Sequence, residues 1–120
     1  MFDLSVDIKD FDRCQDFLSD ALDRICMECE QAVKDEYTIL ILSDRNVGKD
    51  RLPVSAFLAL GAVHLYLVSK RIRMKVALVV ETGEAREVHH LCCLLSYGAD
   101  AICPYLGLNT LICLEDMGFA

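Results

Sequence analysis

The apolar positions of this chain change period along its length. Over residues 11–35, Phe11, Cys14, Leu18, Ala21, Leu22, Ile25, Cys29, Ala32 and Val33 recur at three- and four-residue spacing. At about 100° per residue they fall within an arc of about 140°, a core-facing helical stripe. Asp12, Arg13, Asp16, Asp20, Asp23, Arg24, Glu30 and Lys34 fill the other side. Next comes YTILIL (37–42), an unbroken apolar run after its first two residues. A strand without alternation is expected to be buried on both faces, as in a parallel sheet. Residues 43–53 read as a loop, with Asn46 and Gly48 after Ser43-Asp44-Arg45. Pro53 and Ser55 suit the start of a second helix, and the charges of Lys70 and Arg71 suit its end.

MKVALVV (74–80) predicts a second buried strand. Thr82-Gly83 then turns the chain into a third helix, spanning about 84–97, with Gly98 just past its C-terminus. On that helix Val88, Leu91, Cys92 and Leu95 form the expected buried face, and Glu84 lies in the first turn. ADAIC (99–103) is a third, shorter strand stopped by Pro104, and LGLNTLICLEDMG (106–118) is a final helix. The order α-β-α-β-α-β-α implies an α/β fold with a parallel sheet and helical crossovers. With no linker, low-complexity segment or internal repeat, residues 1–120 read as a single domain.

Sites in such folds gather at the carboxyl ends of the strands. Ser43-Asp44-Arg45, Glu81-Thr82-Gly83 and Pro104-Tyr105 are therefore expected to meet in space, although far apart in sequence.

Composition narrows the function. The hydrophobic fraction is 54% and the mean hydropathy +0.33. That is apolar for a globular domain and suggests surface buried against other protein. No apolar run reaches the roughly 18 residues of a membrane span. The formal charge of −7 disfavours nucleic-acid binding. MFDLSVDIKDFDRC is neither a signal nor a transit peptide, so a cytoplasmic location is expected. Seven cysteines, an odd number set mostly in apolar runs, read as reduced, mostly buried thiols.

The densest chemistry is ETGEAREVHH (81–90). An amphipathic helix explains most of it; a catalytic His89–Glu81 pair and a polar interface are the alternatives. Glu81 stands apart, because a carboxylate ending a buried strand needs a partner, and Arg45 or Arg86 could supply it. His89 lies four residues before Cys93, and His90 four after Arg86. Cys26-Met27-Glu28-Cys29 has zinc and redox spacing, but its place inside a regular helix favours core thiols. Adjacent Cys92 and Cys93 point in different directions on a helix. His64, in an apolar helix, reads as a satisfied core or interface histidine. Asp44-Arg45 is an intrachain ion pair or, less simply, a substrate clamp. No nucleotide-binding loop and no G-x-S-x-G elbow occurs.

Three longer strings carry more weight: ILILSDR (39–45), ALGAVHLYLV (59–68) and VALVVETGEAREVHHLCCLLSYGADAICPYL (76–106). Together they resemble the central domain of the glutamate synthase family, in its eukaryotic form, over about residues 25–115. Where the family pattern has AVHHHL this chain has AVHLYL, keeping only His64. Its G-Y-G turn reads Ser96-Tyr97-Gly98. The resemblance implies part of a degenerate (β/α) barrel. It further implies a fragment of an enzyme that makes two glutamates from glutamine and 2-oxoglutarate.

In that family the segment joins an amidotransferase domain to an FMN-binding barrel and is implicated in ammonia passage between them. The resemblance places the glutaminase cysteine, the FMN site and the iron–sulfur cluster in other domains of the parent enzyme, which are its implied partners. No cofactor, metal ligand or catalytic residue is therefore expected in this segment. Asp44, Arg45, Glu81, Arg86, His89 and Tyr105 are expected to form a structural or interface network. The rival reading is a stand-alone binding module with a small-ligand pocket at the strand ends.

Overall fold

The structure, a computed structural model, describes residues 1–7 and 17–119. Among the described residues four helices alternate with a four-stranded parallel sheet of order β1-β3-β5-β6, formed by Phe2–Asp3, Ile39–Ser43, Ala77–Glu81 and Ala101–Cys103. The α/β class and the parallel sheet expected from the alternation are present. Each new strand adds beside the one before it, so the order never reverses. That is the winding of a barrel wall rather than of a doubly wound sheet.

The helices are α1 (Phe17–Lys34), α2 (Ala56–Ser69), α3 (Val88–Ser96) and α4 (Tyr105–Asp116). Phe11 and Cys14 of the first stripe lie outside the described residues. Within α1, Ala21, Ile25, Cys26 and Cys29 are buried against the rest of the chain. Ser55 caps α2, its hydroxyl accepting the Leu58 N–H. Gly98, at φ +115, follows the end of α3 in the left-handed region where a glycine carries no Cβ penalty. A Cβ there would stand 2.6 Å from His64 Nδ1. His64 itself is half-buried and accepts a hydrogen bond from Arg73 Nε at 3.0 Å.

Three short strands were not legible in the pattern. β1 pairs with β3, and β2 (Ser5–Asp7) pairs antiparallel with β4 (Arg51–Pro53). Two- and three-residue strands are too short to show a period. The segment 43–53 is thus loop only up to β4. A 3₁₀ turn at Arg73–Lys75 precedes β5, which starts at Ala77 and runs on to include Glu81.

The sheet is covered on one side. Leu40, Leu42, Leu78 and Val80 face the helices and are buried, with α1 packed on α2 and α2 touching α3. Ile39, Ile41, Ala77 and Val79 alternate with them and stay exposed or half-exposed. Burial on both faces, expected from the unbroken apolar runs, is therefore corrected: the described crossover helices lie on the same side. The opposite face is apolar and open among the described residues.

The third helix is corrected too. It begins at Val88, and Gly83–Glu87 is a loop. Its expected buried face is largely exposed, with Val88 74% and Leu95 53% accessible. Leu94 points inward instead, at 4%. The α3 surface bearing Val88 and Leu91 shares an open apolar groove with Leu108 and Leu111 of α4. Expected "mostly buried" thiols are likewise corrected: Cys26 and Cys29 are buried, Cys92 and Cys113 exposed, and Cys93 and Cys103 between. These last four sit on α3, β6 and α4, which form the uncovered end of the sheet.

Candidate functional site

In-register pairing of β1, β3, β5 and β6 places Asp3, Ser43, Glu81 and Cys103 in one row. It is the last rung at the carboxyl ends, on the open face of the sheet. Glu81 is central to it. Ser43 Oγ donates to Glu81 Oε2 at 2.6 Å, and Arg45 Nε donates to Oε1 in an ion pair. The Ser43 hydroxyl, and then the Arg45 charge, hold the Glu81 carboxyl below its ordinary range. The Arg45 guanidinium is raised in return, chiefly by its hydrogen bond to Glu81. It lies 4.2 Å above the ring centre of Tyr105, a cation–π stack.

The next residues turn inward. Asp44 is 5% exposed and Thr82 fully buried. Thr82 Oγ1 donates to Asp44 Oδ2 at 2.6 Å, Tyr105 Oη donates to Oδ1 at 2.6 Å, and the Gly83 N–H is shared between both oxygens. Thr82 Oγ1 in turn accepts the Glu84 N–H at 3.0 Å. Burial, and then the Asp44 carboxylate, push the Tyr105 hydroxyl up to about 12. It remains a protonated donor across the neutral range. Among the described residues no buried side-chain nitrogen or oxygen lacks a hydrogen-bond partner.

Asp44, Arg45, Glu81 and Tyr105 thus meet as the strand-end geometry implies, with Arg45 rather than Arg86 as the partner of Glu81. Arg45 pairs with Glu81, not with its sequence neighbour Asp44. Arg86 and His89 are not part of this cluster. Arg86 lies in the loop before α3, where its backbone N–H donates to His90 Nδ1 at 3.1 Å. His89 Nε2 is 3.6 Å from Cys93 Sγ.

Glu84 was expected in the first turn of α3. It instead accepts the Ala56 N–H at 3.2 Å, at the start of α2. Partial burial raises its carboxyl above the usual range. Thr82 was missed as a site residue. Its place in a Thr-Gly turn after a strand was the available signal.

The donor set speaks to cofactors. Among the described residues no group of three or more His, Cys, Asp or Glu is placed to hold a metal ion. Cys26 and Cys29 are two buried thiols inside α1, with no third ligand beside them among the described residues. These residues do not fit an iron–sulfur cluster. The strand ends present carboxylates rather than a cradle of donors for a flavin phosphate. Among the described residues no helix is long and apolar enough to cross a membrane.

Fold and site define a parallel α/β segment with a self-satisfied polar network at its strand ends. Residues 2–118 match the glutamate synthase central domain, and the chain belongs to that family. It is 55% identical over 91 residues to an NADH glutamate synthase of Schizosaccharomyces pombe, covering 76% of this chain and 4% of that protein. Identity to the NADH glutamate synthase of Saccharomyces cerevisiae is 40% over 110 residues, covering 90% of this chain and 5% of the relative. The large chain of the NADPH enzyme of Bacillus subtilis is 46% identical over 83 residues, covering 69% and 6%. The chain spans only about one-twentieth of the length of these relatives, 4–6%.

Proposed function

We propose that this chain is a scaffold portion of a glutamate synthase. In the whole enzyme, glutamine and 2-oxoglutarate yield two glutamates. This segment joins the amidotransferase and FMN-binding parts and helps shape the route by which ammonia passes between them. FMN and an iron–sulfur cluster belong to other domains of that enzyme, which are also this chain's partners. We assign it to the cytoplasm, where its free thiols stay reduced.

The observation that carries this reading is the closure of the strand-end network. Asp44 accepts from Thr82, Gly83 and Tyr105, and Glu81 from Ser43 and Arg45. A general acid or base must keep a proton position facing substrate. Here the carboxylate oxygens are engaged in holding three strand–loop junctions to one another. Such a cluster fixes geometry, which is what a domain between two active sites must supply.

A chimera tests it. This chain replaces the corresponding segment of the S. pombe enzyme, and glutamate formation is measured with glutamine and, separately, with ammonium as nitrogen donor. The chimera is expected to use both. Adding Arg45→Ala and Glu81→Leu should depress the glutamine-dependent rate while sparing the ammonium-dependent one. Equal loss of both rates, or of neither, overturns the proposal.

A further inference from the structure

A pocket of about 270 Å³ opens between the start of α2 and α3, beside the strand-end cluster, whose Thr82 forms part of its wall. Phe57 and Leu94 supply apolar wall, and Glu84, His89 and Cys93 supply the polar part. Helical spacing of four sets His89 and Cys93 on one side of α3, with Sγ 3.6 Å from Nε2. Cys93 is half-buried, so its sulfur borders a cavity and yet can be reached.

The other described thiols lack this combination. Cys26 and Cys29 are buried, and their surroundings raise them away from the thiolate. Cys92 and Cys113 are exposed, and Cys103 is half-buried like Cys93. Among the described residues only Cys93 has an imidazole nitrogen in contact with its sulfur. A thiol reacts as its thiolate, so a base that takes the proton decides which cysteine reacts first.

We propose that Cys93 is a thiol–disulfide exchange site, with His89 as its proton acceptor and the adjoining pocket receiving one half of a small disulfide. Cys93 Sγ attacks one sulfur of the disulfide as His89 Nε2 takes the thiol proton. A new Sγ–S bond forms and the original S–S bond breaks. The departing sulfur leaves with the bonding electron pair and then takes the proton from His89. Cys93 is oxidised to a mixed disulfide, the departing half is reduced to a thiol, and no other oxidant is required. Glu84 in the wall and the chain's net charge of −7 favour a cationic disulfide over an anionic one.

The test treats the full chain, near neutral pH, with limiting cystamine. Acid quenching and peptide mass mapping then follow each cysteine with time. Cys93 is expected to form its mixed disulfide on the order of tenfold faster than Cys92 or Cys113. His89→Gln should bring Cys93 down to their rate and leave theirs unchanged. Because His89 is exposed, this variant should keep the wild-type circular dichroism spectrum. Oxidised glutathione, being anionic, should discriminate less in favour of Cys93 than cystamine does. If Cys93 in the wild-type chain reacts no faster than Cys113, the assignment is overturned, whatever the variant does. An unchanged Cys93 rate in a folded His89→Gln chain, or a stronger preference for Cys93 with oxidised glutathione, also overturns it.

Discussion

Glu81 and Asp44 are two carboxylates with different work. Glu81 closes the last rung on the open face and holds an ion pair with Arg45. Asp44 is buried and ties Thr82, Gly83 and Tyr105 together. That a strand-end carboxylate needs a partner followed from β5 being apolar up to Val80. Which arginine it takes did not, because Arg86 and Arg45 are equally charged and both near in expectation. The choice was made by pairing register: Ser43 lies beside Glu81, which brings Arg45 within reach and leaves Arg86 in a separate loop. Because the folded state lowers the Glu81 carboxyl, its contribution to stability is fully present above the unfolded value of about 4.3. It is lost as pH falls through the lowered folded value. Glu81→Gln is thus expected to lower the melting temperature at neutral pH, and the gap from wild type should narrow in acid. Thermal unfolding followed by circular dichroism across pH measures this; a gap that widens in acid contradicts the assignment.

At the scale of elements, α3 shows how a correct periodicity can be given the wrong side. Val88, Leu91 and Leu95 do recur at three- and four-residue spacing. A stripe says that a face is apolar and leaves open what covers it. In this chain Leu94 is buried and Tyr97, just past α3, stacks on Phe57 of α2, while Val88 and Leu91 of the stripe look into the groove beside α4. Two substitutions separate these roles. Leu94→Ala removes a buried side chain and should cost about 2–4 kcal/mol in denaturant unfolding. Val88→Ser acts on a side chain 74% exposed and should cost below about 0.5 kcal/mol. The periodic reading alone predicts the reverse, a large loss at Val88 and a small one at Leu94. The start of α3 was also hidden in the sequence. Its N-cap, Glu87, makes no side-chain capping bond, so nothing local marks the boundary that sets Glu84 free to reach α2.

Across the whole molecule, one side of the sheet is packed under helices and the other is open. The open side carries Ile39, 59% exposed, with Ile41 and Val79 beside it. Together with the α3–α4 groove this is apolar surface that the described residues leave uncovered. It explains the +0.33 mean hydropathy without a membrane span. The isolated chain is expected to bind a hydrophobic reporter dye while keeping native far-ultraviolet circular dichroism. It should also associate as its concentration rises in sedimentation velocity. Ile39→Lys together with Val79→Lys should reduce both signals. A dye-silent wild-type chain that stays monomeric at high concentration would mean that these faces are closed in solution.

The sequence by itself determined the α/β alternation, the positions of four helices and three longer strands, and the three segments that meet at the strand ends. These follow from local rules: period, caps, and the run length of apolar residues. It also determined the family, through strings that span most of the chain. Only the tertiary structure decided which face of each apolar strand is covered and which arginine Glu81 takes. It also decided that His89 and Cys93 share a pocket with Glu84 and that three very short strands complete the fold. The physical reason is common to all of these. Each depends on what lies across a gap in space, and pairing register and helix placement are set by the packing of distant segments rather than by the residues on either side in the chain.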